Sequence, residues 1–285
     1  MRADLHTHSD RSDGTDSPAQ LMAAAVAAGL SVIALTDHDT TAGWAPAEAE
    51  RPRGLTILTG VELSCASPAP DGPPIGVHLL GYLFDRAHEG LRAQRRRLRE
   101  SRRSRAEEMV RRMGEAGLPV AWSRVAGLAG DGPMGRPHMA RALVEAGWAR
   151  SVDDAFARFL HHDSPYYVRK VDLDVADGVA LIRAAGGVPV LAHPLARRRG
   201  RVVTDDVLAA LATRGLLGLE VDHPDHAPAD RDHLRGLADD LGLLATGSSD
   251  YHGRNKATPL GAELTAPEVV EALVALSTGG SPHTD

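Results

Sequence analysis

The chain has 285 residues, enough for one large domain or a main domain with a small second one. Its 43% hydrophobic content can bury a sizeable core, and 25% charged residues keep it soluble. A single cysteine, Cys65, excludes an internal disulfide framework, and no apolar run approaches the roughly 20 residues of a membrane span.

Aromatic residues are only 4%, so Ala, Leu and Val must fill the core. The formal charge of −6 hides an asymmetry: residues 92–112 hold ten Arg against three Glu, so the remainder carries −13. The first residues run straight into a strand with no leader-like segment, which together with the lone cysteine predicts a cytoplasmic protein.

In chain order, an apolar run at residues 3–5 leads into His6-Thr7-His8. Residues i and i+2 of a strand share a face, so the two imidazoles are presented side by side. Asp16 or Ser17 caps a helix with Pro18 at its first position, ending at Gly29. A continuous apolar strand at 31–36 ends in Asp37-His38-Asp39, a helix spans 41–50, and a strand from 55 ends at Gly60-Val61-Glu62. After a Pro- and Gly-rich loop, residues 76–82 return as a strand carrying His78. Helical periodicity then takes over through residues 92–170, read as an insertion subdomain between barrel segments 1–91 and 171–285. Strands at 188–192, 218–221 and 243–246 alternate with helices at 177–185, 205–213, 230–241 and 267–276.

Alternating strands and helices suggest parallel βα units. Nearly every predicted strand ends in a ligand-type residue: His6 and His8, His38, Glu62, His78, His193, His223, Asp250 and His252. In a β/α barrel all C-terminal strand ends face one mouth, whereas an open sheet gathers residues at one switch point. The expected fold is therefore α/β, a distorted TIM-like barrel of the (β/α)7 type with a small helical insertion. Imidazole mixed with carboxylate and without thiolate suits Zn, Mn or Fe, and the ligands are too many for one ion. Two ions bridged by Glu62 would suit displacement at phosphorus.

The strings Asp4-Leu5-His6-Thr7-His8-Ser9, Ser12-Asp13-Gly14-Thr15, Thr36-Asp37-His38-Asp39-Thr40 and Gly60-Val61-Glu62-Leu63 resemble the PHP (polymerase and histidinol phosphatase) family. Ala192-His193-Pro194 and Ser249-Asp250-Tyr251-His252 continue the likeness over nearly the whole chain. Gly135-Arg136-Pro137-His138 and Glu220-Val221-Asp222-His223-Pro224 resemble the branch of 3′,5′-nucleoside bisphosphate phosphatase and RNase AM. The resemblance implies three divalent ions. His6, His8, Glu62 and Asp250 would hold one; Glu62, His78 and His193 a second; Asp13, His38 and His252 the third.

The implied activity is hydrolysis of nucleotide phosphomonoesters or the 5′ ends of short RNA, by attack of a metal-bound hydroxide. His223 would protonate the leaving oxygen or bind phosphate, with Arg136 and His138 also on the substrate. Small phosphorylated molecules are the expected partners, with no membrane and no obligate protein partner. The alternatives are a histidinol-phosphate phosphatase on the same site and a non-catalytic PHP module of a larger assembly. An amidohydrolase would need a carbamylated lysine at a mid-barrel strand end, where neither Lys170 nor Lys256 falls. Asp37 and Asp39 are placed as supports of the His38 ring or as helix caps. The Arg92–Arg112 run fits a solvated helix face better than a nucleic-acid surface, having no interleaved aromatics.

Overall fold

A computed structural model describes residues 1–69, 71–130 and 132–285. The chain begins with β1 (Ala3–Thr7), α1 (Pro18–Ala27), β2 (Val32–Leu35), α2 (Trp44–Ala49), β3 (Thr56–Ser67) and β4 (Ile75–Tyr82). A helical stretch follows: α3 (Glu89–Glu115), α4 (Trp122–Ala129), α5 (Arg136–Glu145) and α6 (Val152–Ala155). The rest comprises β5 (Leu173–Asp174), α7 (Val175–Ala184), β6 (Val188–Ala192), α8 (Asp205–Thr213), β7 (Gly218–Asp222), α9 (Pro228–Leu241), β8 (Leu244–Gly247) and α10 (Pro267–Leu276). Local chemistry sets several boundaries. Ser17 and Gln20 form a reciprocal capping box on α1, and Asp174 caps α7 through the amides of Ala176 and Asp177.

The main sheet runs β1-β2-β3-β4-β6-β7-β8, with the two-residue β5 paired to β3. Thr7 bridges to Tyr251, just past β8, and His8 N donates to Tyr251 O at 2.9 Å, so the sheet nearly closes into a seven-strand barrel. The expectation of parallel βα units throughout fails at one place. β4 is antiparallel to both β3 and β6. Only residues 68–74 separate β3 from β4, whereas a parallel crossover needs about a dozen residues, so the two strands close as a hairpin. His78 consequently does not end its strand. It lies early in β4, opposite Ser64 and Ala192, and an antiparallel strand enters the barrel from the mouth.

β1 carries a second irregularity. Its register slips between Asp4 and Thr7, so that Leu5 joins the inner core while His6 and His8 still turn inward to the site. A bulge re-aims side chains in this way. Three apolar clusters hold the molecule together. One fills the barrel interior around Leu5, Leu58, Leu80 and Tyr82, and another packs the outer sheet face against the helices. The third lies within α3–α6, around Met109, Met113, Val125, Met139 and Leu160. Helix α3 spans two of them, because Leu91 and Leu98 pack on the barrel and Ala106 onward on the helical segment. No helix among the described residues is long and apolar enough to cross a membrane.

Strand alternation places Glu62 at the mouth and its neighbour Leu63, fully buried, in the outer core. Leu63→Ala is expected to cost about 2–5 kcal/mol of unfolding free energy, measured by urea denaturation. A cost below about 1 kcal/mol would mean that the sheet–helix layer does not hold β3 in register.

Candidate metal centre

Nine residues singled out in the sequence do converge at the barrel mouth. From β1 come His6 and His8; Asp13 follows on the next loop. His38 follows β2, Glu62 sits on β3 and His78 on β4, His193 follows β6, and Asp250 and His252 follow β8. The centre is Glu62. Its Oε2 lies 3.2 Å from His6 Nε2, 3.2 Å from His8 Nε2 and 3.0 Å from His38 Nδ1, while Oε1 is 2.7 Å from His78 Nδ1 and 3.1 Å from His193 Nε2. Asp250 Oδ1 approaches His6 and His8 Nε2 at 3.5 and 3.4 Å. Asp13 Oδ1 is 3.2 Å from His252 Nε2, and its Oδ2 is 3.7 Å from His38 Nε2.

These groups crowd together without satisfying one another. His6 Nε2, His8 Nε2, His38 Nδ1, Asp13 Oδ1 and Glu62 Oε2 are all buried and have no hydrogen-bond partner. Buried polar atoms are normally paired, and an unpaired one costs about 1–3 kcal/mol. Five such atoms aimed at one space fit cations at their centre. Three ligand groups draw their donor atoms within 4.8 Å of one another: His8, Asp13, His38 and His252; His6, His8 and Asp250; His38, Glu62 and His78. This grouping differs from the expected one in two places. His8 gathers with the Asp13 set, and His38 stands beside Glu62 and His78 where His193 was expected.

The ionisation state suits the same purpose. Burial would raise Glu62, but His38, His78 and His6 hold it well below the usual carboxylate range. Asp13 and Asp250 are likewise depressed against their own burial, Asp13 by His38 and His252, Asp250 by Lys256 and His6. Burial pulls His78 and His252 down to about 4, leaving both rings neutral. Backbone strain collects here too. Asp39, His193 and Asp250 have positive φ of 51°, 30° and 51°, and such conformations persist only where surrounding structure enforces them.

The enforcing residues were only partly foreseen. Glu220 on β7 accepts from His6 Nδ1 at 2.9 Å and from the His193 amide at 2.7 Å, and it also contacts Ser248 Oγ. That fixes the His6 proton on Nδ1 and turns Nε2 to the cluster. A carboxylate on an inward strand position was the available signal. Asp37 and Asp39 support neither the His38 ring nor a helix start. Asp37 accepts from Ser9 N, Ser9 Oγ and Ser12 Oγ at 2.6–2.8 Å, tying the loop after β1 to the end of β2. Asp39 accepts from Ser64 N and Ser64 Oγ at 2.8 Å and from Arg102 Nε at 2.5 Å. Their carboxylates are taken by loop amides and hydroxyls that lie closer than the ring. Arg199 and Lys256 both donate to Asp250 Oδ2, at 2.7 and 2.6 Å.

The three expected substrate residues take different positions. His223 is buried beside the cluster, its Nε2 3.3 Å from Asp250 Oδ2 and its Nδ1 accepting from Asp225 N at 3.0 Å. His138, buried at the start of α5, accepts from Gly135 N at 3.0 Å and lies beside Asp13. Arg136 is drawn into the helical segment, donating to Leu160 O at 3.0 Å with Phe156 and Tyr167 under its guanidinium. Arg105 and Lys170 crowd the same interior. Burial and then the charges of Arg136 and Arg102 bring Arg105 down to about 9, and burial with Arg102 lowers Lys170 strongly. Cys65 is a buried packed side chain, whereas His162, His233 and His283 are at the surface.

Known proteins share this arrangement. The PHP domain profile matches residues 4–120. A 5′-3′ exoribonuclease of Haemophilus influenzae is 33% identical over 87% of this chain and 89% of its own. A 3′,5′-nucleoside bisphosphate phosphatase of Chromobacterium violaceum is 33% identical over 87% of this chain and 86% of its own. A solved structure from Bifidobacterium adolescentis, described as a metal-dependent phosphoesterase, superposes with a TM-score of 0.88 at 34% identity, covering 97% of this chain and 96% of that one. Fold, site composition and relatives agree, and the chain belongs to the PHP family.

Proposed function

We propose that the protein is a metal-dependent phosphoesterase acting on nucleotide phosphomonoesters, such as 3′,5′-bisphosphonucleotides or 5′-nucleotides, or on the 5′ ends of short RNA. The observation that carries this is the convergence of five unpartnered buried donor atoms around Glu62. The nine residues His6, His8, Asp13, His38, Glu62, His78, His193, Asp250 and His252 would hold three divalent ions of the Mn, Zn or Fe type. Bound ions would supply an activated water and positive charge facing the phosphoryl oxygens.

The protein's own groups divide the remaining work. Glu220 holds His6 in one tautomer, so that the ring need not reorganise when the site is used. His223, with Nε2 directed at Asp250, stands where it can hand a proton to a leaving oxygen. Arg136 with Arg105 and Lys170 forms a cationic interior above the mouth, suited to a second, non-reacting phosphate. Helices α3–α6, with their own apolar cluster, serve in this reading as a substrate-binding subdomain over residues 92–170.

Phosphate release should be measured with Mn²⁺ on 3′,5′-bisphosphonucleotides, 5′-mononucleotides, 5′-phosphorylated oligoribonucleotides and histidinol phosphate. Turnover of the nucleotide substrates, abolished in Glu62→Gln with an unchanged circular dichroism spectrum, is the expected result; cleavage of histidinol phosphate alone would overturn it. Glu220→Gln should weaken Mn²⁺ binding by about 10–100-fold, read as a shifted metal titration of the thermal midpoint. An unshifted titration would remove Glu220 from the site. Arg136→Ala is expected to raise KM about tenfold or more with kcat nearly intact, and His223→Ala to lower kcat by about 10²-fold or more. The reverse pattern would exchange the two roles.

A further inference from the structure

Helix α3 carries its arginines in two different electrostatic settings. Toward its C-terminus Arg103, Arg111 and Arg112 are paired with Glu107, Glu108 and Glu115, and Arg102 is paired with Asp39. Toward its N-terminus Arg92, Arg95, Arg96 and Arg99 line a cleft of about 260 Å³ with Thr40, Thr41 and Ala42. None of these four forms an ion pair among the described residues.

Arg95 is the key residue. It is 6% exposed, donates through Nη1 to Thr41 Oγ1 at 2.5 Å, and has a buried Nε with no partner. Burial, and then the charges of Arg99 and Arg92, bring it down to about 10. A guanidinium held among like charges with an unused donor is unfavourable by itself, and a bound oxyanion relieves both deficits. The cleft also adjoins the metal centre. Arg99 Nη1 donates to Asp39 O at 2.9 Å, and Thr40 lies two residues beyond His38.

The lining chooses the ligand class. Four arginines, two threonines and one alanine offer donors to an oxyanion and no aromatic surface on which a base could stack. Arg92, Arg95 or Arg96, Arg99 and Arg102 recur at three- and four-residue spacing, so they share one helix face over about 15 Å. That length exceeds a single phosphate and runs from the cleft toward the mouth. We propose that the cleft is a second anion site, which takes a backbone phosphodiester of an oligoribonucleotide whose 5′ end occupies the metal centre. It rests on the phosphoesterase function proposed above and deepens it toward a chain substrate.

The test uses the full chain with Mn²⁺ and the double variant Arg92→Ala/Arg96→Ala, two exposed positions outside the catalytic cluster. Binding of a hydrolysis-resistant 2′-O-methyl phosphorothioate hexanucleotide is followed by fluorescence anisotropy at several salt concentrations. Hydrolysis of a 5′-phosphorylated hexaribonucleotide and of a 3′,5′-bisphosphonucleotide is measured in parallel. The variant should bind the hexanucleotide about tenfold more weakly, and its slope of log K against log[salt] should fall by about 1.4, for two lost phosphate contacts. Its kcat/KM should drop on the hexaribonucleotide and stay within about twofold of the parent on the bisphosphonucleotide. Equal binding and equal slopes in the two proteins would overturn the proposal. So would an equal loss on both substrates, which would place the arginines in the main site. Displacement of the hexanucleotide by tripolyphosphate, with no gain in affinity from two to six nucleotides, would also overturn it. If neither protein hydrolysed any ester, the phosphoesterase function would fall while the binding comparison still decided the cleft.

Discussion

One carboxylate organises this molecule. Glu62 stands within 3.2 Å of five imidazoles, those of His6, His8, His38, His78 and His193, all from different parts of the barrel rim except the first two. Imidazole lone pairs and carboxylate oxygens brought this close, away from water, do not stabilise a fold unless something positive sits among them. The rest of the structure reads as what it takes to hold them there. The bulge in β1 turns His6 inward, the β3–β4 hairpin brings His78 back to the mouth, and strained backbone at His193 and Asp250 aims the remaining ligands. Asp4, Asp37 and Asp39 stitch the loops in place, Asp4 through the amides of Ser249 and Gly261.

Helix α3 extends that scaffold beyond the barrel. Leu91 and Leu98 belong to the sheet–helix core, Met109 and Met113 to the helical cluster, and Arg102 joins the two at the rim through Asp39 and Ser64. Burial raises the cost of the Asp39 charge, yet Arg102 keeps its carboxyl below the ordinary value, so the pair is ionised and tightly coupled. A buried ion pair adds little net stability against an apolar replacement, but breaking it is costly. Its role is better understood as registration: it fixes where the helical segment sits relative to His38, one residue away from Asp39.

The barrel and all nine cluster residues were legible in the sequence because each ligand type stood at a predictable point of a strand–helix rhythm. What was not legible depended on strand direction and on partners distant in sequence. His78 was expected at a strand end, although seven residues between β3 and β4 already implied a hairpin. Glu220 lay on a recognised strand, yet nothing local shows that it reaches His6, 214 positions away. Asp37 and Asp39 flank a ligand in sequence, which suggested support for the same ring; in space their carboxylates point to Ser9 and Ser64. The arginine run was treated as one solvated face, and the fold divides it, because Glu107, Glu108 and Glu115 neutralise only its second half.

Charge arithmetic gives the site a direction toward anionic substrates. The cluster supplies three carboxylates, Glu62, Asp13 and Asp250, all held ionised, while His78 and His252 are held neutral. Three divalent cations on such a set, with neutral imidazoles, would leave a net charge of about +3 in a buried space. A neutral amide or ester gains little from that excess, since its transition state develops about one negative charge. A phosphate monoester arrives with up to two charges and holds them through the reaction, so the excess is neutralised on binding and remains matched at the transition state. Arg199 and Lys256 on Asp250, and the arginines of α3 and α5, add further positive charge around the mouth. A barrel that invested this much unpaired cation and ligand charge for a neutral substrate would carry an electrostatic penalty with nothing to offset it.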